Sequence, residues 1–265
     1  MDTIRKLTKT CRNIINLIKF NFIKDFISGK DSGFLVHTYS LFLAKFNSLN
    51  ETILLLASHG RGEEANILVR SLLETTLYLL LLAKFPSKEL AEYIYFSGNN
   101  NVYRNMLKSK IKRRLEQNPY YTSVMEQQKP MKVSFTKAAK KYKNVREDLF
   151  SGVQFNDKKY PNIGLSNRQI AKLVNLEDLY DYIYWQLCNV SHPNLSGLSS
   201  RVKIVENGYD INLGKTKTEV PAALFYTLDI DLAFLKQFYT KEKIINKYQK
   251  KRDLIEKDLV LPKYN

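Results

Sequence analysis

The run ANILVRSLLETTLYLLLLA, residues 65–83, constrains this chain more than any other stretch. Leu68, Val69, Leu72, Leu73 and Leu77 make it apolar on every side, broken only by Arg70 and Glu74. A helix that is apolar all round is a buried helix. The most apolar part, LYLLLLA (Leu77–Ala83), falls well short of the roughly 20 residues that a bilayer requires, so the expectation is a core helix and no membrane span. It should run from about Glu63 to Phe85, stop before Pro86, and be followed by a helix capped at Ser87. A buried helix of this length needs several others to cover it.

Those others can be read from apolar spacing. Ile4, Leu7, Cys11, Ile14, Ile18 and Phe22 lie on one face of a helix over about 3–28. Asp31 or Ser32 can cap a second helix reaching Ser58, and SHGRG breaks the chain. Together they predict an N-terminal helical hairpin over about 1–58. The middle, roughly 98–165, has weaker periodicity and reads as helices joined by long basic loops. Ser166 and Gln169 have capping-box spacing, and a helix over about 176–189 follows. RVKIVENGYDINL then alternates apolar and polar residues about Asn207-Gly208, the pattern of a β-hairpin over about 201–213. Thr218 and Pro221 open a long C-terminal helix over about 219–258. Only 17 residues are Gly or Pro, which favours long helices over a loop-rich β fold. The expectation is an all-α, multi-helix bundle with one small β-hairpin insertion, forming a single domain over residues 1–265.

The net charge of +16 is unevenly spread. Between Arg104 and Glu147 thirteen Lys and Arg face three Glu, and Lys108, Lys110, Lys112, Arg113 and Arg114 form the densest part. Such a cluster attracts a polyanion by counterion release, RNA above all. A solvated lysine-rich face is the plainer alternative. Cys11 and Cys188 stand far apart in apolar helical patterns, which fits reduced core thiols of a cytoplasmic protein. The N-terminus is interrupted by charges every few residues, unlike a signal peptide.

Two places could carry chemistry. Arg70 and Glu74 are four apart and share a helix face in apolar surroundings. A buried pair of this kind is weak evidence for stability; it either fixes helix register or serves a site. The second place is LCNVSHPNLSG, residues 187–197, which holds His192, one of three histidines. Pro193 ends the helix there, so His192 sits at a helix C-terminus, where the dipole favours its charged form. Ser191 and Asn194 offer hydrogen bonds beside it. A polar helix end needs no function, but His192 with Arg70 and Glu74 would make a compact set for proton transfer and anion stabilisation. Phosphate-loop, dinucleotide and zinc motifs are absent, and the pattern calls for no cofactor and no metal.

These two segments, ANILVRSLLETTLYLLLL and LYDYIYWQLCNVSHPNLSG, resemble a bacterial all-α family of unknown function. Its members share an Arg-Ser-Leu-x-Glu helix and, well downstream, a Tyr-containing helix ending in Ser-x-x-His or Ser-His. The likeness covers roughly residues 50–235, with SNRQIAKLV in between. That family is in turn similar in architecture to the HEPN helical ribonucleases and toxins. Those enzymes carry Arg and His on one helix as R-x4-6-H, a motif missing before His192. The resemblance therefore implies that Arg70 would reach the site from another helix.

The expected function is a metal-independent ribonuclease, acting as a toxin or phage-defence effector. Arg70 would bind the scissile phosphate, His192 would act as acid or base on the RNA 2′-hydroxyl, Glu74 would orient Arg70, and the basic segment would steer RNA. The alternatives are a non-enzymatic module that binds nucleic acid or protein, and a sensor of an anionic ligand. The reading leaves room for a homodimer and for a partner protein from the same operon.

Overall fold

The computed structural model describes residues 2–27, 33–106, 119–160, 163–191, 202–206, 208–211, 217–238 and 241–259. Nine α-helices lie among them: α1 (Asp2–Ile27), α2 (Phe34–Ser58), α3 (Gly62–Lys84), α4 (Lys88–Met106), α5 (Pro119–Leu149), α6 (Asn167–Leu173), α7 (Glu177–Ser191), α8 (Val220–Phe238) and α9 (Glu242–Lys257). The protein is all-α, as the low Gly and Pro content predicts. One short antiparallel hairpin joins β1 (Val202–Val205) to β2 (Gly208–Ile211).

The chain forms two compact units. The first comprises residues 1–29, 42–80 and 171–265. Its centre is α8, nearly every side chain of which is buried from Val220 to Leu235. Leu7, Cys11, Ile14 and Ile18 of α1 are fully buried, and the Cys11 thiol donates to the Leu224 carbonyl at 3.5 Å. Phe46 of α2 stacks on Phe234 at 4.8 Å between ring centroids. Within α3, Val69, Leu72, Leu73 and Leu77 are fully buried, as the apolar pattern requires. By length and composition alone α3 could cross a membrane, but 67% of its apolar window is already covered inside the protein.

The second unit comprises residues 30–41 and 81–170. Here α4 and α5 pack through stacked rings, Tyr93 on Tyr142 at 4.6 Å and on Phe135 at 5.4 Å. Of the region expected as helices joined by basic loops, residues 98–106 end α4 and residues 119–149 form one helix of 31 residues, α5, which accommodates Pro130, while residues 107–118 lie outside the described residues. Lys137, Lys140, Lys141, Lys143 and Arg146 thus stand on a helix. Some of these cations pair with other segments: Lys141 binds Glu92 of α4 at 3.1 Å, and Arg146 binds Asp157 at 2.7 Å.

Three helix starts or turns bear on the sequence reading. Ser87 Oγ accepts from the Leu90 amide at 3.2 Å and so caps α4. Ser166 and Gln169 form a reciprocal capping box, the Gln169 amide donating to Ser166 Oγ and the Ser166 amide to Gln169 Oε1. In the hairpin, Val205 pairs with Gly208 and Ile204 with Tyr209. Gly208 therefore belongs to β2 and not to the turn, unlike the Asn207-Gly208 turn expected. Moving the turn by one position shifts the pairing by two residues and keeps the same faces, so the apolar alternation fits both registers. The proposed caps Asp31 and Ser32 and the turn residue Asn207 lie outside the described residues.

The C-terminal segment read as one helix forms two, with Lys241 in a non-helical conformation (φ −85°, ψ 82°) between them. No Gly or Pro marks that break. Beyond it, α9 packs on α8 through the Asp229–Arg252 ion pair.

Candidate functional site

Arg70 stands on α3 and is held in place by two elements. Its Nη2 donates to the Tyr184 hydroxyl of α7 at 2.8 Å, and its guanidinium lies 4.8 Å from the centroid of the same ring. Its Nε lies 3.5 Å from Glu74 Oε1, one turn along α3. Tyr184 stacks on Tyr180 at 4.6 Å. Tyr180, Tyr184 and Cys188 recur every four residues and so form one row along α7. Helix geometry therefore does the positioning: a four-residue period on each of two helices brings one cation against a row of polarisable groups.

The apolar neighbours of Arg70 and Glu74 suggested full burial, and here the structure corrects the expectation. The Arg70 side chain is 27% exposed and that of Glu74 is 36% exposed. The helix is buried on most of its circumference, and the pair occupies the strip that is left.

Burial works against the Arg70 charge, but Tyr184, Cys188 and Glu74 outweigh it, so its pKa is raised. Burial also raises the Tyr184 phenol, with Arg70 pulling the other way and Cys188 adding to the rise. The result at neutral pH is a permanent cation hydrogen-bonded to a neutral phenol. Such a group can bind a phosphate or stabilise an oxyanion.

The other expected site residues are not brought into this geometry. Ser191 is the last residue of α7, and its side chain is outside the described set. His192, Asn194, Lys108, Lys110, Lys112, Arg113 and Arg114 lie outside the described residues. The described part of α7 reaches Ser191, two residues beyond the boundary expected at Asn189, and the break expected at His192-Pro193 lies outside the described residues. Among the described residues no three His, Cys, Asp or Glu cluster closely enough to hold a metal ion.

Tyr184, Tyr180 and Cys188 were not singled out as site residues. Their signal was available in the four-residue spacing of the helix that leads to Ser191-His192. A second feature was also missed, a cleft of about 630 Å³ whose lining includes Tyr182, Asp229, Lys236 and Arg252. Its hint in the sequence is LDIDLAFLK, where two carboxylates interrupt an apolar helix.

An all-α protein carrying a half-buried, tyrosine-bound arginine is the class that fold and site define. Residues 37–210 match a family of unknown function, DUF5677, and the chain belongs to it. The match begins before the region of about 50–235 suggested by the sequence resemblance and ends before it. It takes in Arg70, Glu74, α7 and Ser191-His192, but not α8 or α9. It extends to this family alone and gives no support to a HEPN likeness. No curated protein and no solved structure matches the chain.

Proposed function

We propose that Arg70 is the phosphate-recognising centre of a metal-independent ribonuclease. One observation carries this reading: Arg70 is hydrogen-bonded to Tyr184 on α7, the helix whose last residue, Ser191, directly precedes His192. In the reaction, the RNA 2′-oxygen attacks the adjacent phosphorus, the bond from phosphorus to the 5′-oxygen breaks, and the 2′ proton passes to His192. The leaving oxygen takes a proton, and the products are a 2′,3′-cyclic phosphate and a 5′-hydroxyl. Arg70 would hold the charge that develops on the phosphoryl oxygens. Glu74 would orient the guanidinium, and the strongly basic balance of the chain would draw RNA toward it. A toxin or antiviral effector is the biological role such an activity would serve.

The test is one variant and one chelation experiment. His192→Ala should retain the parent melting temperature and lose RNA cleavage, and EDTA should leave the parent activity intact. A folded, fully active His192→Ala protein removes His192 from the mechanism. If the parent binds RNA without cutting it, the protein is a binding module.

A further inference from the structure

Tyr182 lies two residues from Tyr184, so the two project from opposite sides of α7. On the Tyr182 side, α8 and α9 complete the cleft of about 630 Å³, a size within the range of roughly 300–1,000 Å³ typical of ligand pockets. The geometry points to a second binding site there, for a small monoanion with an apolar body and a hydrogen-bonding edge, the chemistry of a cyclic mononucleotide, whose phosphodiester carries a single charge.

Four features of the lining define that ligand. Leu80, Val174, Leu179 and Leu232 supply apolar wall, which a bare inorganic anion would leave wet. Tyr182 stands 43% exposed, its ring packed edge-on against Tyr226 at 5.8 Å, so that an open ring face is available for stacking. Asn175 and Gln237 bring primary amides to the cleft, and neither side chain forms a hydrogen bond among the described residues. Each offers a donor and an acceptor, the pairing that reads a heterocycle edge. Asn175 holds φ at 59°, a conformation that glycine adopts most easily, so the amide is kept where a turn alone would favour Gly.

Charge sets the ligand at one negative unit. Arg252 is fully engaged: Nε and Nη2 donate to both Asp229 oxygens at 2.7 and 3.3 Å, and Nη1 reaches Glu256 and, at 3.6 Å, Asp253. Lys236, by contrast, has no hydrogen bond or ion pair within 4.0 Å among the described residues, and its charge acts on Asp229 only from a distance. It is the cation left to receive an anionic group. Asp178, also at the cleft and exposed, would repel a second negative charge.

The test is calorimetric titration of the full chain with uridine and adenosine 3′,5′-cyclic monophosphates, uridine, inorganic phosphate and benzoate. Trp185, the only tryptophan, lies one turn from Tyr182 and gives an independent fluorescence signal. A mononucleotide should bind, uridine should bind about tenfold more weakly, and inorganic phosphate should not bind. Lys236→Ala should bring the mononucleotide down to the level of uridine, Gln237→Ala should weaken both, and Arg70→Ala should change neither. Lys236 and Gln237 are exposed, so both variants should fold. The inference is overturned if no mononucleotide binds at about 5 mM, if Lys236→Ala binds as the parent does, or if Arg70→Ala abolishes binding. Benzoate binding as tightly as a mononucleotide would assign the cleft to aromatic carboxylates and overturn the hydrogen-bonding edge. None of these outcomes depends on whether the protein cleaves RNA.

Discussion

Asp231 sits on α8 wholly out of water. Its Oδ1 accepts from Asn50 Nδ2 at 3.0 Å, and its Oδ2 has no hydrogen-bond partner among the described residues. Burial pushes its pKa well above the ordinary carboxylate value, and the Asn50 bond opposes that only in part. In the unfolded chain the group ionises near pH 3.9, while the native protein keeps the proton to higher pH. Stability from this group therefore falls as pH rises from about 4 toward the folded pKa, by up to about 1.4 kcal/mol per pH unit. Asp229, also raised by burial, adds a decline of the same sign. Asp231→Asn has no proton to lose, so its Tm should fall less steeply than the parent's above about pH 4. Parallel Tm profiles would show that Asp231 does not keep its proton. Arg70 belongs to the opposite case. With both partners partly in water, the Arg70–Glu74 pair contributes about 1 kcal/mol or less. Arg70→Ala should therefore stay folded, with Tm lowered by about 5 °C or less. A larger loss in thermal melting would mean that the arginine is a structural keystone.

Between elements, the contact that fixes α9 on α8 is ionic. The Asp229 side chain is only 9% exposed and is paired in bidentate fashion with Arg252, whose guanidinium also covers the Phe225 ring at 4.6 Å. Arg252→Ala leaves a buried carboxylate unpaired, at a cost of roughly 3–5 kcal/mol. Combining Asp229→Leu with Arg252→Leu should recover most of that loss, which urea denaturation of the two variants would measure. If the double variant is no better than Arg252→Ala, the guanidinium contributes mainly by packing. The connection after α5 depends on one glycine. Gly164 has φ +77°, and an added Cβ would lie 2.6 Å from Asp157 Oδ1 and 3.3 Å from the Phe155 ring. Its amide donates to the Tyr160 carbonyl, and its own carbonyl accepts from Asn156. Gly164→Ala should cost about 1–3 kcal/mol and speed hydrogen exchange at the Asn156 and Gly164 amides. Unchanged exchange would show that the loop can absorb the side chain.

For the molecule as a whole, the excess of cations is the dominant long-range property. If it draws RNA to the proposed site, binding must weaken with salt in proportion to the phosphates contacted. Changing Lys112, Arg113 and Arg114 to Glu should lower the slope of log K against log salt by about 2 for single-stranded RNA, if each now meets one phosphate. Filter binding between about 50 and 200 mM salt covers the useful range. An unchanged slope would make this segment a solvated face with no part in binding.

What the sequence alone determined is whatever depends on short-range geometry. The helical period identified the buried faces of α1 and α3, because residues three and four apart must share a face. Ser87 and Ser166-Gln169 announced their caps, since the groups they satisfy lie within three residues. The tertiary structure decided the rest. Arg70 looked buried from its neighbours, but exposure depends on what covers each strip of a helix, and α7 covers that one only in part. The partnership of Arg70 with Tyr184 spans 114 residues of chain, and that of Asn50 with Asp231 spans 181. Nothing local in the sequence specifies such pairs. The break at Lys241 carries no Gly or Pro to announce it, and the Asp229–Arg252 pair that joins the two helices spans 23 residues. The ligand cleft follows the same rule, since its walls come from α3, α7, α8 and α9 and exist only once those helices have packed.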